Sequence, residues 1–232
     1  MKFNSWMIRV VVVACALWAS SAMAGRQIYE PMAESVRLAM RTSLEGNQVP
    51  YPIFDSAPQR IDWLSTMSAR LAKKAPNFGW RLELIKTIRY EAQRAGLDPQ
   101  LVFAVIEVES GFKPKVYSSA GAIGLMQVMP FWTTLLGDGN PRDLLDPRIN
   151  IRYGCVILRH YLDMERGNVE RALQRYNGSL GRSDYSDLVL GALRHHWVYE
   201  EPWSVKQEAK KIQNASLKKT TVKATLASAG TP

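Results

Sequence analysis

At 232 residues the chain has room for one or two domains. Hydrophobic residues make up 47% and aromatic residues 9%, enough to bury a core, so wholesale disorder is excluded. The 30 Lys+Arg against 21 Asp+Glu leave a formal charge of +9, which favours an anionic partner, while two cysteines, Cys15 and Cys155, exclude a disulfide scaffold or a cysteine-based zinc cluster.

The first residues read as a processing segment. Lys2 and Arg9 give a positive start, Val10 to Trp18 is apolar, and small residues end in Ala22-Met23-Ala24. This is the layout of a secretory leader, residues 1–24, cut after Ala24. An uncleaved anchor is one alternative. Lipid attachment at Cys15 is another, although Arg9 leaves a short apolar run before it. Beyond the leader no apolar run reaches the roughly 18 residues of a membrane span. The leader carries two bases and no acid, so the mature chain is +7; the tail, 204–232, holds six lysines against Glu208 and accounts for +5 of this. The tail is expected to be a flexible basic extension, and the near-neutral body argues against a nucleic-acid-binding face.

The body reads as helices. Pro31 to Leu44 is amphipathic through Met32, Val36, Ala39 and Met40. Ile61 to Ala72 and Trp80 to Ala95 follow, the last with an apolar face of Leu84, Ile85, Ile88 and Ala92 and a stop at Gly96. Asp98-Pro99 supplies an N-cap and a proline in the first turn of a helix ending near Ser110. Asp146-Pro147 repeats the device for a helix to about Glu165. Val169 to Tyr176 and Tyr185 to Tyr199 are also expected to be helical, with irregular loops between Gly111 and Asp146. Strand alternation is nearly lacking, so the fold class is mainly α. The expected organisation is a helical extension over 25–96, a catalytic domain over 97–203 and the tail.

The helix from Pro99 is apolar all round from Leu101 to Ile106, which predicts a central position, and it ends in two carboxylates, Glu107 and Glu109. Two positions on a helix turn about 200°, so these carboxylates point to opposite sides and cannot flank one bond. Glu109 shares the face of Val102, Val105 and Ile106. Burial and the negative end of the helix dipole both disfavour its ionised form, and a raised pKa is what a general acid needs near neutral pH.

Downstream lie Glu109-Ser110-Gly111-Phe112, then Ser118-Ser119-Ala120-Gly121-Ala122-Ile123-Gly124-Leu125-Met126-Gln127-Val128-Met129-Pro130. Asn150-Ile151-Arg152-Tyr153-Gly154, Tyr161-Leu162 and Arg175-Tyr176-Asn177-Gly178 follow. This set, over roughly Leu97 to Gly181, closely resembles the catalytic domain of the soluble lytic transglycosylases, with a goose-type-lysozyme-like fold. The resemblance implies that Glu109 is the single catalytic acid/base. It places Ser118 near that carboxylate and the sugar's N-acetyl group, and Gln127 and Met129 along the saccharide groove. Tyr176 and Asn177 match the third motif beside the active site, and Asn150 matches a residue of mainly structural role. The usual third motif reads Ala-Tyr-Asn-Ala-Gly; here Arg175 and Ser179 depart from it. Some members also carry a Glu-Thr-Arg segment before a tyrosine like Tyr185, whereas this chain has Gly181, Arg182 and Ser183, so that acidic contact does not transfer.

The implied reaction cleaves the bond between N-acetylmuramic acid and N-acetylglucosamine in peptidoglycan and closes a 1,6-anhydro ring, with no metal and no organic cofactor. The expected partners are peptidoglycan glycan strands and cell-envelope machinery, in the periplasm or secreted to the cell wall, with no nucleic acid and no stable membrane span after leader cleavage. A hydrolytic lysozyme on the same fold would need a positioned water and a second carboxylate such as Asp138, Asp143 or Asp184. A non-catalytic glycan-binding module of a secretion apparatus is the other alternative. His160, His195 and His196 lack metal-ligand spacing. Phe112, Tyr117, Phe131, Trp132 and Tyr153 are read mostly as packing, and Gly121 and Gly124 as points where backbone approaches the glycan.

Overall fold

The structure, a computed structural model, describes residues 27–46, 51–202, 204–207 and 210–211. The expected leader and most of the expected tail lie outside the described residues. Residues 27–33 are irregular and precede α1 (Glu34–Leu44). Helix α1 starts three residues later than its periodicity suggests, because Ala33 offers no side-chain cap. Helix α2 (Ala57–Leu71) starts earlier than expected. Ser56 accepts a hydrogen bond from the Gln59 N–H, and Pro58 sits in the first turn. Helix α3 (Phe78–Arg94) is capped by Asn77.

Helix α4 (Pro99–Ser110) opens on Asp98, as its sequence dictates, and stops at Gly111, whose φ of 57° is left-handed. Leu101 to Ile106 are all buried, so neighbours surround the helix. Helix α3 packs on one side, and α8 (Asp184–Ala192) and a π-helical turn (Leu193–Trp197) pack on others. Phe103 stacks on Trp197 with ring centroids 4.9 Å apart, and Trp63 meets Phe103 edge-on at 6.1 Å. Each fully buried large apolar side chain here contributes roughly 1.5–3 kcal/mol of transfer free energy. Met40 from α1 and Trp63, Met67 and Leu71 from α2 belong to the same core cluster as Phe103 and Tyr176.

The stretch expected to be irregular contains two short helices, α5 (Phe131–Leu136) and a 3₁₀ turn (Pro141–Leu145). Before them, residues 111–130 form a folded-back loop. Its strand-like pairing consists of isolated bridges from Ile123 to Tyr117 and to Val128. Helix α6 (Pro147–Met164) follows its Asp146 cap, and α7 (Val169–Asn177) ends at Gly178 in a left-handed conformation. The helix expected over Tyr185 to Tyr199 is instead α8 followed by the π-helical turn, where Trp197 is buried. Among the described residues no named strand occurs and no helix is long and apolar enough to cross a membrane. The mainly α class read from the sequence is the observed one.

Candidate active site

Glu109 projects from the last turn of α4 into the interior and is 6% exposed. The Tyr185 hydroxyl, on the first turn of α8, donates to its Oε1 at 2.6 Å. Its Oε2 is buried without a partner. Burial pushes the Glu109 carboxyl up to about 8, against the Tyr185 hydrogen bond, which pulls it down. No charged neighbour contributes to that shift. Glu107, about 200° around the helix, has a different environment. Lys74 Nζ lies 2.9 Å from it, His196 Nδ1 3.0 Å and Trp197 Nε1 2.6 Å. Burial alone would raise its pKa, but these donors outweigh burial and hold it below the usual carboxylate range. The helix-phase argument therefore separates the two carboxylates correctly.

Asn150, on the first turn of α6, organises the 111–130 loop. It is buried, its Oδ1 accepts from Met126 N–H at 2.8 Å, and its Nδ2 donates to Ile123 O and Leu144 O at 2.8 and 2.9 Å. A Cβ at Gly124 would stand 2.4 Å from Asn150 Nδ2 and 2.7 Å from Leu144 O. Gly124 is thus required by protein packing, which corrects its reading as a point of glycan approach. Gly121 has open space around it at a φ of +86°.

The other candidate residues surround the same loop. Ser118 is half-buried, and its Oγ accepts from Ala122 N–H at 3.0 Å. Gln127 is buried at a φ of 47°, and its Nε2 donates to Gly124 O at 2.8 Å and Val116 O at 3.3 Å. Tyr176 is fully buried and donates to Met126 O at 2.7 Å. Burial raises its phenol pKa, and the charge of Glu109 raises it further. Asn177 is buried, donates to Ser179 Oγ at 3.2 Å, and leaves its Oδ1 unpartnered. Met129 is half-buried at the end of the loop. Polar atoms of Ser118, Gln127 and Tyr176 are thus engaged in holding the loop. Phe112, Trp132 and Tyr153 are buried, whereas Tyr117 is 62% exposed and Phe131 half-buried.

The sequence did not single out Tyr185 as a site residue. It contacts Glu109 from 76 positions away, a separation that no local spacing encodes. Arg175 was noted only as a departure from a motif; its Nη1 donates to both carboxylate oxygens of Glu30, at 2.8 and 3.0 Å, and it also pairs with Glu165. Cys155 is buried at 1% exposure, and burial raises its thiol pKa. A cavity of about 450 Å³ lies between α1 and α6, lined by Val36, Met40, Val156 and Met164 among others, with Glu109 not part of its wall. Among the described residues no group of three or more His, Cys, Asp or Glu side chains is placed to hold a metal ion.

The profile of the transglycosylase SLT domain matches residues 86–186, a span that holds Glu109, the 111–130 loop, Asn150, Tyr176 and Tyr185. The matched span is a little under half of the chain. A transglycosylase of Enterobacteria phage PRD1 is 38% identical over 104 residues, which cover 45% of this chain and 38% of the phage protein. A membrane-bound lytic murein transglycosylase C of Haemophilus influenzae is 40% identical over 88 residues, covering 33% of this chain and 25% of that protein. The chain thus spans well under half the length of these relatives. Among solved structures, a lytic transglycosylase Slt from Pseudomonas aeruginosa aligns over 85% of this chain and 38% of its own, at 18% identity and a TM-score of 0.40. The span similar to the SLT profile contains α4 and its buried glutamate whole.

Proposed function

We propose that the protein is a peptidoglycan lytic transglycosylase. It cleaves the β-1,4 bond between N-acetylmuramic acid and N-acetylglucosamine and leaves 1,6-anhydro ends. The carrying observation is Glu109, a buried carboxyl with a pKa near 8 inside the span that matches the SLT profile. At neutral pH it is protonated. Because Oε1 accepts from Tyr185, the acidic proton belongs on Oε2, the oxygen without a protein partner. Oε2 gives this proton to the bridging oxygen as the bond to the anomeric carbon breaks. The substrate's N-acetyl group stabilises the cationic centre, as in substrate-assisted glycosidases. The carboxylate then takes the proton of the 6-hydroxyl, whose oxygen closes onto the anomeric carbon. One proton leaves Oε2 and one returns, so no water is consumed.

Further support comes from the environment of the remaining carboxylates. Glu107 is engaged by Lys74, His196 and Trp197, Asp138 and Asp143 each accept from Asn140, and Asp184 pairs with Arg182. None of them contributes to the Glu109 shift. A hydrolytic mechanism with a second carboxylate therefore has less support. In the proposed arrangement residues 25–96 brace the catalytic domain 97–203. Removal of residues 1–24 delivers the protein to the periplasm or the cell wall, where the basic tail meets anionic wall polymers and envelope machinery. Ser118, Gln127, Met129, Tyr176 and Asn177 form the saccharide site. Mass spectrometry of digested sacculi tests the activity: anhydro ends are expected, whereas reducing ends would indicate a lysozyme and no release a binding module.

A further inference from the structure

Residues 27–33 lie directly against the site. Gln27 is 4% exposed, and its Oε1 accepts a hydrogen bond from the Met129 N–H at 3.1 Å. Tyr29 meets Phe131 edge-on with ring centroids 6.1 Å apart. Glu30 binds Arg175, which Glu165 clamps from the other side. Three anchors thus hold a four-residue strap onto Met129, Phe131 and Arg175. Arg175 is one of the positions where this chain departs from the Ala-Tyr-Asn-Ala-Gly pattern. An alanine there would leave Glu30 without its cation, so the strap accounts for the departure.

The strap brings a polar group that the fold does not satisfy. Gln27 Nε2 is buried and makes no hydrogen bond of good geometry. Its carboxamide lies beside the Tyr176 hydroxyl, whose proton goes to Met126 O and whose oxygen can accept at most one of the two Gln27 N–H groups, so the other has no acceptor in the protein. Buried donors without acceptors are rare in native interiors and call for an explanation. Two unpartnered oxygens accompany it, Glu109 Oε2 and Asn177 Oδ1. Asn177 follows Tyr176 in the chain, and Glu109 lies near enough that its ionised form would act on the Tyr176 phenol.

We propose that Gln27 is a glycan-binding residue. Held at Oε1 by the Met129 N–H, it presents Nε2 to an oxygen acceptor of the bound saccharide, an acetamido carbonyl or a ring hydroxyl. The N-terminal strap thereby completes a site otherwise built from residues 109–185. The inference rests on reading the Glu109 site as a saccharide cleft.

The test uses the full chain carrying Glu109→Gln, which keeps the cleft but cannot turn substrate over, and a tetrasaccharide of alternating N-acetylglucosamine and N-acetylmuramic acid as probe. Adding Gln27→Met is expected to weaken binding about tenfold, the value of one lost hydrogen bond in a dry site. Adding Glu30→Gln leaves the carboxamide intact but loosens its anchor, and is expected to weaken binding about threefold. With Glu109 restored, KM for soluble glycan strands should rise by the same factors while kcat stays within about twofold. Unchanged affinity and KM in both variants, with only a lower Tm, would make the strap a brace and overturn the proposal. Failure of the Glu109→Gln parent itself to bind the tetrasaccharide would instead bring down the saccharide-cleft reading, and this proposal with it.

Discussion

Glu107 and Glu109 sit two positions apart on one helix, yet the protein treats them in opposite ways. The Glu107 side chain, 11% exposed, meets a lysine, a histidine and an indole N–H, so its charge is matched and its pKa falls. The Glu109 side of α4 offers a single phenol and apolar packing, so its neutral form is favoured and its pKa climbs to about 8. The chemistry that separates them is the environment selected by 200° of helical turn. A carboxylate with three donors has a structural task complete in the folded protein. One with a lone donor and an orphaned oxygen has a proton to give and nothing in the protein to give it to.

The largest expected effect breaks that contrast directly. Glu109→Gln keeps the shape of the side chain and its acceptor for Tyr185 but can neither donate an acidic proton nor accept one. Release of anhydromuropeptides should fall by roughly 10²- to 10⁴-fold. Glu107→Gln should retain most activity. An inactive Glu107→Gln beside an active Glu109→Gln would overturn the assignment and the helix-phase argument together.

The two faces of α4 were legible in advance because their determinants are local. Asp98-Pro99 fixes the start of the helix, Gly111 its end, and helical period does the rest. The same holds for Asp146-Pro147 and α6. Other features escaped because their determinants are distant. Tyr185 reaches Glu109 across 76 positions and Gln27 reaches Met129 across 102. Helix α5 has six residues, too few for a hydrophobic period, and Pro130 gives it no side-chain cap. The π-helical turn after α8 interrupts a segment whose apolar spacing is compatible with one continuous helix. Gly124 reads equally well as a ligand-facing or a packing glycine until Asn150, distant in sequence, is placed beside it.

Tyr185→Phe sharpens the contrast by making the Glu109 side more apolar still. The hydroxyl lowers the Glu109 pKa, so its loss should raise that pKa further. For the unaltered protein, kcat/KM should decline as pH rises through about 8, where the acid loses its proton. In Tyr185→Phe that alkaline limb should move to higher pH, with activity at neutral pH lower by about tenfold through lost orientation of the carboxyl. A pH–rate profile reads both effects. An alkaline limb shifted to lower pH would contradict the role given to the hydroxyl.

The smallest effects are on stability, and their pH dependence should run in opposite directions for the two residues. Glu109 has a folded pKa of about 8 against 4.5 for an ordinary carboxyl. Its protonated form suits the folded state, so its contribution is fully present below pH 4.5 and declines as pH rises toward 8. Glu109→Gln removes this liability. The variant should match the parent near pH 4 and exceed it at pH 7 by an amount on the order of a few kcal/mol. Glu107 has the reverse sign. Its folded pKa lies below 4.5, so its ion pairs contribute above that pH and are lost as pH falls through the lowered value. Glu107→Gln should cost about 1 kcal/mol at pH 7, discounted because Lys74 and His196 are 40% and 57% exposed, and close to nothing near pH 3. Urea titrations of the two variants from pH 3 to pH 8 should therefore diverge from the parent in opposite directions as pH rises, Glu109→Gln gaining stability and Glu107→Gln losing it. Curves that move together would mean that the two faces of α4 do not differ in the way their contacts require.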